Sequence, residues 1–212
     1  MRSPLFLASS NPGKRREFRD AASARGLMVE ELPGIAALPA CVEDGATFAE
    51  NARKKALHYS QGLSGLVFAD DSGICVDALE GAPGVYSARF AGPGATDEQN
   101  NERLLAEIHR VETLAREGKT GRAGDLGNRA AHYICAIALA EAGRVLTVVE
   151  GRADGVIVDE PKGAGGFGYD PYFFYPPLGK TFAELKPEGK FAVSHRGIAF
   201  RKLLDACQGL DL

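Results

Sequence analysis

Apolar and polar residues follow one another along this chain in short blocks that predict an α/β protein. Two segments with helical spacing of apolar residues alternate with short apolar runs in the first third of the sequence. The predicted strands are Pro4–Ala8, Met28–Leu32 and Leu66–Ala69. The predicted helices are Lys14–Arg25 and Thr47–Gln61, the second with Thr47 as its cap and Glu50 at the capping-box spacing.

The second half of the chain predicts a hairpin and two more helices. Ala130–Ala140 and Arg144–Val149 have strand character and are separated only by Glu141-Ala142-Gly143, so we expect a mixed sheet, which Gly151–Val158 would extend. One helix is expected to open at Thr96, and another to cover Ser194–Cys207. Residues 112–129 predict an inserted surface loop, and without a clear linker residues 1–212 are expected to form a single domain.

Charge and composition narrow the class of protein. The chain has 25 Lys and Arg against 28 Asp and Glu, a net charge of −3, which argues against a nucleic-acid-binding protein. Its longest apolar run is far shorter than a membrane span, and no signal peptide is predicted. Four widely separated cysteines predict reduced thiols and a cytoplasmic location. Glycine is abundant, at 26 of 212 residues, which directs attention to turns that approach a ligand.

The segment from Ser9 to Lys14 predicts a phosphate-binding loop. It contains Ser9, Ser10, Asn11, Pro12, Gly13 and Lys14, and it lies between a predicted strand and a predicted helix. Amide groups at a helix N-terminus favour an anion, and the lysine adds a full positive charge. A plain capped helix start would look the same, so this segment alone leaves both interpretations open.

An acidic set predicts a magnesium site. Glu43, Asp70 and Asp71 offer the hard oxygen ligands that Mg²⁺ prefers, and Mg²⁺ usually shares its coordination with substrate phosphates. A solvated turn at the end of a strand is the alternative for two adjacent aspartates. Asp71-Ser72-Gly73 also matches the core of aspartic proteases, whose chemistry needs two such aspartates and hence, here, a dimer.

Residues near the C-terminus predict a site for a flat base. Aromatic and glycine residues at Phe167, Gly168 and Tyr169 could form a slot, and Asp170 could accept hydrogen bonds from ring N–H groups. Lys190, His195 and Arg196 follow, and an arginine can only donate, so it would select a carbonyl oxygen. Gly163–Gly168 satisfies the GxGxxG pattern, but Pro171 follows where a dinucleotide-binding motif needs a helix.

The order of these motifs resembles the inosine triphosphate pyrophosphatase family over nearly the whole chain. The motifs are Ser-x-Asn-x-Gly-Lys-x-x-Glu at 9–17, Thr-Phe-x-Glu-Asn-Ala at 47–52, Ala-Asp-Asp-Ser-Gly at 69–73, Gly-Ala-Pro-Gly-Val-Tyr-Ser-Ala-Arg at 81–89, Gly-Gly-Phe-Gly-Tyr-Asp-Pro at 165–171 and Ser-His-Arg-Gly at 194–197. The resemblance implies an elongated two-lobed α/β fold with a twisted mixed central sheet, flanking helices and an active-site cleft between the lobes. It implies Mg²⁺-dependent cleavage of XTP, ITP and dITP to the monophosphate and pyrophosphate by a cytoplasmic homodimer.

The same resemblance implies roles for individual residues. It makes residues 9–14 the triphosphate-binding loop, Glu43 and Asp71 the metal ligands, and Asp71 also the proton acceptor. It makes the remaining candidates contacts to the substrate, namely Ser72, Phe167, Gly168, Tyr169, Asp170, Lys190, His195 and Arg196. Asp44, beside Glu43, departs from the family pattern and leaves open which of the two acids faces the metal. A non-catalytic nucleotide sensor on the same fold is the alternative function.

Overall fold

A seven-stranded sheet with helices around it forms the framework of the protein. The computed structural model describes residues 5–119 and 128–208, and the strands lie in the order β2-β1-β3-β4-β5-β6-β7. The strands are β1 (Leu5–Leu7), β2 (Val29–Glu31), β3 (Leu66–Val76), β4 (Ala130–Glu141), β5 (Arg144–Ile157), β6 (Phe173–Tyr175) and β7 (Lys180–Thr181). The helices are α1 (Pro12–Ser23), α2 (Phe48–Ser60), α3 (Asp97–Arg116), α4 (Pro187–Val193) and α5 (His195–Ala206).

The sheet is mixed, which confirms the predicted α/β class. β1 pairs in parallel with β2 and with β3, whereas β6 pairs antiparallel with β5 and with β7. β4 and β5 are neighbours joined by Ala142 and Gly143, whose φ angles are 46° and 75°. Two consecutive positive φ angles suit a tight hairpin turn, so the predicted hairpin is confirmed. Most of Gly151–Val158, which was expected to extend the sheet, belongs to β5.

Contacts between residues divide the chain into two compact units. Of the described residues, the first unit contains 5–72, 134–152 and 191–208, and the second contains 73–119, 128–133 and 153–190. In the first unit, Phe18 packs edge-on against Phe68 with ring centroids 5.2 Å apart. Other large side chains of this core include Leu7, Ile137, Leu139, Phe200 and Leu203. Burial of such side chains supplies the main stabilisation of the unit.

The second unit has an aromatic core of its own. Tyr133, Phe173 and Phe182 are buried together, with centroid separations between 4.7 and 5.9 Å. Tyr175 joins them at 5.6 Å from Phe182. Packing of these rings explains the presence of Phe173 and Tyr175, which follow the predicted base site in the sequence, without a ligand.

The predicted helix starts are confirmed at the level of single hydrogen bonds. Thr47 caps α2 by accepting from the Glu50 amide (3.1 Å), and Thr96 and Ser194 cap α3 and α5 in the same way. The capping box predicted at α2 is only half formed. The Glu50 carboxylate accepts from the amide of Ala46 (2.7 Å), one residue before the cap, and so it also holds the segment leading into the helix.

Two predicted boundaries are wrong. β3 does not end at Asp70 but continues through Asp70, Asp71 and Ser72 to Val76, because cationic and amide side chains of the first unit compensate the two carboxylates inside the strand. The loop predicted at 112–129 is shorter than expected, because α3 continues to Arg116. Residues 120–127 of that loop, with three of its regularly spaced glycines, lie outside the described residues.

Glu112 and Arg129 join the two ends of the predicted loop. The Arg129 guanidinium donates to both carboxylate oxygens of Glu112, at 2.7 and 3.1 Å, and to Asp159 at 2.6 Å. His109 also contacts Asp159, at 2.7 Å. Since Glu112 and Arg129 are largely buried, this fork-shaped pair is a strong contact between α3 and the start of β4.

Glu112→Gln is expected to lower the free energy of unfolding by about 1.5–3 kcal/mol at neutral pH, the usual value of a hydrogen bond to a charged partner. The hydrogen bond from Arg129 holds the pKa of the Glu112 carboxyl below its usual range. Its contribution is therefore present at neutral pH and lost as the pH falls through that lowered pKa. Urea unfolding at neutral and acidic pH measures both effects. Glu107→Gln, which removes ion pairs with the exposed Arg103 and Arg110 on the same helix, is the control.

Candidate functional site

The predicted phosphate-binding loop includes the end of the connection from β1 to α1 and, because α1 begins at Pro12 and not at Lys14 as predicted, the first three residues of that helix. The Oδ1 atom of Asn11 accepts from the Lys14 amide (3.0 Å), and the Asn11 amide donates to Ser9 Oγ (3.3 Å). Pro12, the first residue of α1, has no amide hydrogen to offer. The first turn therefore has fewer amide donors for an anion than the sequence suggests. The further donors of this segment are the side chains of Ser9, Ser10 and Lys14.

Four charged side chains of the first unit are connected by ion pairs, and they are here called the four-charge network. Lys14 contacts Asp70 (Nζ–Oδ2, 2.8 Å), Arg196 contacts Glu17 (Nη1–Oε2, 2.5 Å), and Arg196 Nε lies 3.8 Å from Asp70 Oδ2. Lys14 and Glu17 lie one turn apart on α1, while Asp70 is on β3 and Arg196 on α5. Ser72 connects the network further, because its hydroxyl accepts from Arg196 (2.8 Å) and donates to Asp70 (3.3 Å).

Burial makes the charges of this network interdependent. Asp70 and Arg196 are 1% and 2% exposed. Burial by itself would raise the pKa of Asp70, but the charges of Lys14, Arg196 and Lys55 hold it below its usual range. In the same way, Glu17 and Asp70 outweigh the effect of burial and raise the pKa of Arg196. Asp70 and Arg196 are therefore both held in their charged forms.

Asp71 lies beside a second cation. Lys55, from α2, contacts Glu43 (Nζ–Oε2, 2.7 Å) and Asp71 (Nζ–Oδ1, 3.5 Å), so one ammonium group touches both predicted metal ligands. The other oxygen of Asp71 accepts from the side-chain amide of Asn51 (3.0 Å). Burial raises the pKa of Asp71, although Lys55, Lys14 and Asn51 oppose the shift. A carboxylate with a raised pKa accepts a proton more readily than an ordinary one.

The structure distinguishes Glu43 from its neighbour Asp44. Glu43 points to Lys55 and thus shares a cation with Asp71, whereas Asp44 is 68% exposed and pairs with Lys54. The hydrogen bond from Lys54 lowers the pKa of the Asp44 carboxyl. Glu43 is therefore the acid of the two that lies with Asp71, as the family resemblance implies.

The donor set of Glu43 and Asp71 fits a magnesium ion. Two carboxylates that already share one cation can approach another, and Mg²⁺ typically takes one or two carboxylates and completes its shell with water and substrate phosphate. Within residues 5–119 and 128–208, no group of three His, Cys, Asp or Glu side chains is arranged to hold a metal ion.

The remaining candidates of the second unit form a compact group around Asp170. Its Oδ2 atom accepts from the Phe167 amide (2.8 Å) and from Lys190 (2.6 Å), and the Lys190 ammonium lies 4.9 Å from the Phe167 ring centroid. Gly166, at φ 72°, is required here because a Cβ atom would come within 2.0 Å of Asp170 Oδ2. Asp170 thus fixes the shape of the loop, and its predicted contact with a base stays a prediction.

Tyr169 and Gly168 are also held by contacts inside the second unit. The Tyr169 hydroxyl donates to the carbonyl of Ser87 (2.8 Å), and the ring is 5% exposed. The Gly168 amide donates to Asp97 (2.6 Å), and its carbonyl accepts from Asn101 (3.0 Å). In the first unit, His195 is the buried first residue of α5, next to Arg196.

The structure brings three residues to the site that had no predicted role, namely Glu17, Asn51 and Lys55. Glu17 belongs to the first motif, but only its contact with Arg196, 179 positions away, reveals a role. Asn51 and Lys55 share the buried face of α2 with Ala52 and Ala56. Polar residues four positions apart on an otherwise apolar helix face indicate a functional contact, and this spacing is visible in the sequence.

Known proteins resemble this chain over almost its whole length. The model of the Ham1 family matches residues 5–206. The chain is 48% identical to a dITP/XTP pyrophosphatase of Gloeobacter violaceus, covering 96% of this chain and 93% of the relative. It is 45% identical to a protein of the same name from Geobacillus kaustophilus, covering 94% and 91%.

A solved structure gives the same result. The fold matches that of the Ham1 protein of Staphylococcus aureus with a TM-score of 0.79 and 35% identity, covering 98% of this chain and 99% of the other. The relatives are named dITP/XTP pyrophosphatases, which confirms the pyrophosphatase family predicted from the order of the motifs. The chain therefore belongs to the Ham1 family.

Proposed function

We propose that this protein hydrolyses non-standard purine nucleoside triphosphates, namely XTP, ITP and dITP, to the monophosphate and pyrophosphate. The observation that carries the proposal is the ion pair between Lys14 and Asp70. It joins the predicted phosphate-binding loop directly to the strand that bears Asp71. A cation for the triphosphate and a carboxylate that can activate water thus lie on adjoining elements of one unit. The names of the relatives support the same activity.

The proposed reaction has a simple balance. A water oxygen forms a bond to the α-phosphorus, and the bond from that phosphorus to the oxygen bridging to the β-phosphorus breaks. The bridging oxygen leaves with pyrophosphate and the electron pair, while Asp71 accepts one proton of the water. Lys14, Ser9 and Ser10 hold the phosphates in place, the positioning on which phosphoryl transfer depends. Mg²⁺ held by Glu43 and Asp71 would neutralise charge on the triphosphate and on the leaving pyrophosphate.

Selection of the base follows from hydrogen-bond donors and acceptors. Inosine and xanthine carry a 6-oxo acceptor, whereas adenine carries a 6-amino donor. Arg196 has only N–H groups to offer, so it would favour the oxo group and oppose adenine. The family resemblance implies that the substrate also contacts Phe167, Gly168, Tyr169, Asp170, Lys190 and His195, and these contacts are part of the proposal.

The proposal includes a homodimer located in the cytoplasm. None of the described helices has the length and apolar character to cross a membrane.

One assay tests the proposed function. Purified protein is mixed with ITP, XTP or ATP, with and without Mg²⁺, and released pyrophosphate is measured. Rapid release from ITP and XTP that disappears on chelation of the metal supports the proposal. Tight binding of ITP without release would instead favour a nucleotide sensor, and cleavage of peptides at acid pH would favour a protease.

Arg196→Ala is expected to narrow the preference for ITP over ATP by about tenfold or more, because the donor that opposes the 6-amino group is lost. The ratio of kcat/KM values for ITP and ATP on the same preparation measures this, since the fraction of folded protein cancels in the ratio. Arg196→Lys keeps the charge beside Glu17 and Asp70 but not the planar fork. An unchanged ratio in Arg196→Ala would remove Arg196 from base selection.

A further inference from the structure

Asn51 lies between the two parts of the proposed magnesium site. Its side chain is 1% exposed and makes two hydrogen bonds in opposite directions. Oδ1 accepts from the amide of Gly45 (2.8 Å), two residues after Glu43, and Nδ2 donates to Oδ2 of Asp71 (3.0 Å). One side chain therefore connects the segment that bears Glu43 to the strand that bears Asp71.

The orientation of the Asn51 amide is fixed by its surroundings. A backbone N–H can only donate, so the atom of Asn51 that faces Gly45 must be the oxygen. The NH₂ group must then face Asp71, and a rotated amide would set two donors against each other at Gly45 and two acceptors against each other at Asp71. Gly45 allows this close approach, because a Cβ atom at that position would come within 2.7 Å of Asn51 Oδ1.

The donor from Asn51 distinguishes the two oxygens of Asp71. Oδ2 is engaged by Asn51, whereas Oδ1 lies 3.5 Å from the Lys55 ammonium, a looser contact. We propose that Asn51 is a positioning residue that holds Oδ2 of Asp71, so that Oδ1 is the oxygen that receives the proton of the attacking water. This inference rests on the proposed function, since it assumes that Asp71 is the proton acceptor.

Two variants separate the contact with Asp71 from the contact with Gly45. Asn51→Asp keeps the size of the side chain and the acceptor for the Gly45 amide, but it places an oxygen where Asp71 needs a donor. Asn51→Leu has a similar size and removes both hydrogen bonds. If Asn51 acts on Asp71, both variants lose kcat for ITP by about 10–100-fold, the usual effect of removing a group that orients a catalytic ligand.

The substrate-binding measurements show whether this loss is specific. Because the phosphate-binding loop is on another element, the KM for ITP of Asn51→Leu is expected to stay within about threefold of the wild-type value. Calorimetric binding of ITP in the absence of metal, which does not depend on turnover, is expected to remain as well. Lys54→Gln, which removes an exposed ion pair on the same helix, is the matched control and should keep its kcat.

The possible results are distinct. Full kcat in Asn51→Asp with loss in Asn51→Leu would mean that Asn51 only anchors the Gly45 segment, and would overturn the inference. Equal loss of ITP binding and of kcat in both variants would indicate damage to the fold, and would overturn it too. Wild-type protein that binds ITP but releases no pyrophosphate would overturn the proposed function itself, and the inference with it.

Discussion

Asp71→Asn is expected to reduce the release of pyrophosphate from ITP by about 10²–10⁴-fold, the usual contribution of a general base. The change keeps the size of the side chain but removes the charge and the ability to accept a proton. It also removes one of the two carboxylate charges beside Lys55. Binding of ITP should change much less, because Lys14 and the serines of the phosphate-binding loop are untouched. Single-turnover kinetics and calorimetric binding of ITP measure the two quantities separately.

Asp44→Asn is the matched control for this prediction. It makes the same chemical change in an aspartate of the neighbouring segment, but Asp44 is exposed and pairs with Lys54 instead of Lys55. Turnover of this variant should stay close to that of the wild type. If Asp71→Asn turned over ITP at the wild-type rate, Asp71 would be neither the proton acceptor nor an essential metal ligand.

Asp70→Ala is expected to lower the free energy of unfolding by about 3–5 kcal/mol, the usual cost of breaking a buried ion pair by removing one partner. Lys14 and Arg196 would keep their positive charges beside a cavity where a carboxylate had been. Cys135, whose thiol lies 3.9 Å from Asp70 Oδ2, would lose a polar contact as well. Urea unfolding followed by circular dichroism gives the free-energy difference.

Asp20→Ala provides the reference for this measurement, because Asp20 is an exposed aspartate on α1. Its effect on the free energy of unfolding should stay within about 0.5 kcal/mol. A loss of less than about 1 kcal/mol in Asp70→Ala would show that water or rearranged side chains replace the carboxylate, and that the four-charge network contributes little to stability.

Features that depend on near neighbours in sequence could be predicted well. The caps at Thr47, Thr96 and Ser194 and the hairpin turn at Ala142-Gly143 involve residues only a few positions apart, so local preferences determine them. The predicted phosphate-binding loop follows β1 as expected, although its residues 12–14 already belong to α1.

Features that depend on distant partners could not be predicted from local preferences. Two adjacent aspartates usually end a strand, but β3 continues because Lys14 and Lys55, from two different helices, neutralise Asp70 and Asp71. The end of α3 was missed for a similar reason. The pattern around Glu112 predicts a polar loop, but its partner Arg129, 17 residues away, holds it in the helix.

The four-charge network also limits how this chain can evolve. The formal charges of Lys14, Glu17, Asp70 and Arg196 sum to zero, so a single substitution by a neutral residue leaves a net charge in this largely buried network. Neutral drift at these positions would require coordinated replacements, and their effects would depend strongly on one another. A lineage that no longer needed the activity would still tend to retain these residues, because purifying selection on folding alone is enough to preserve them.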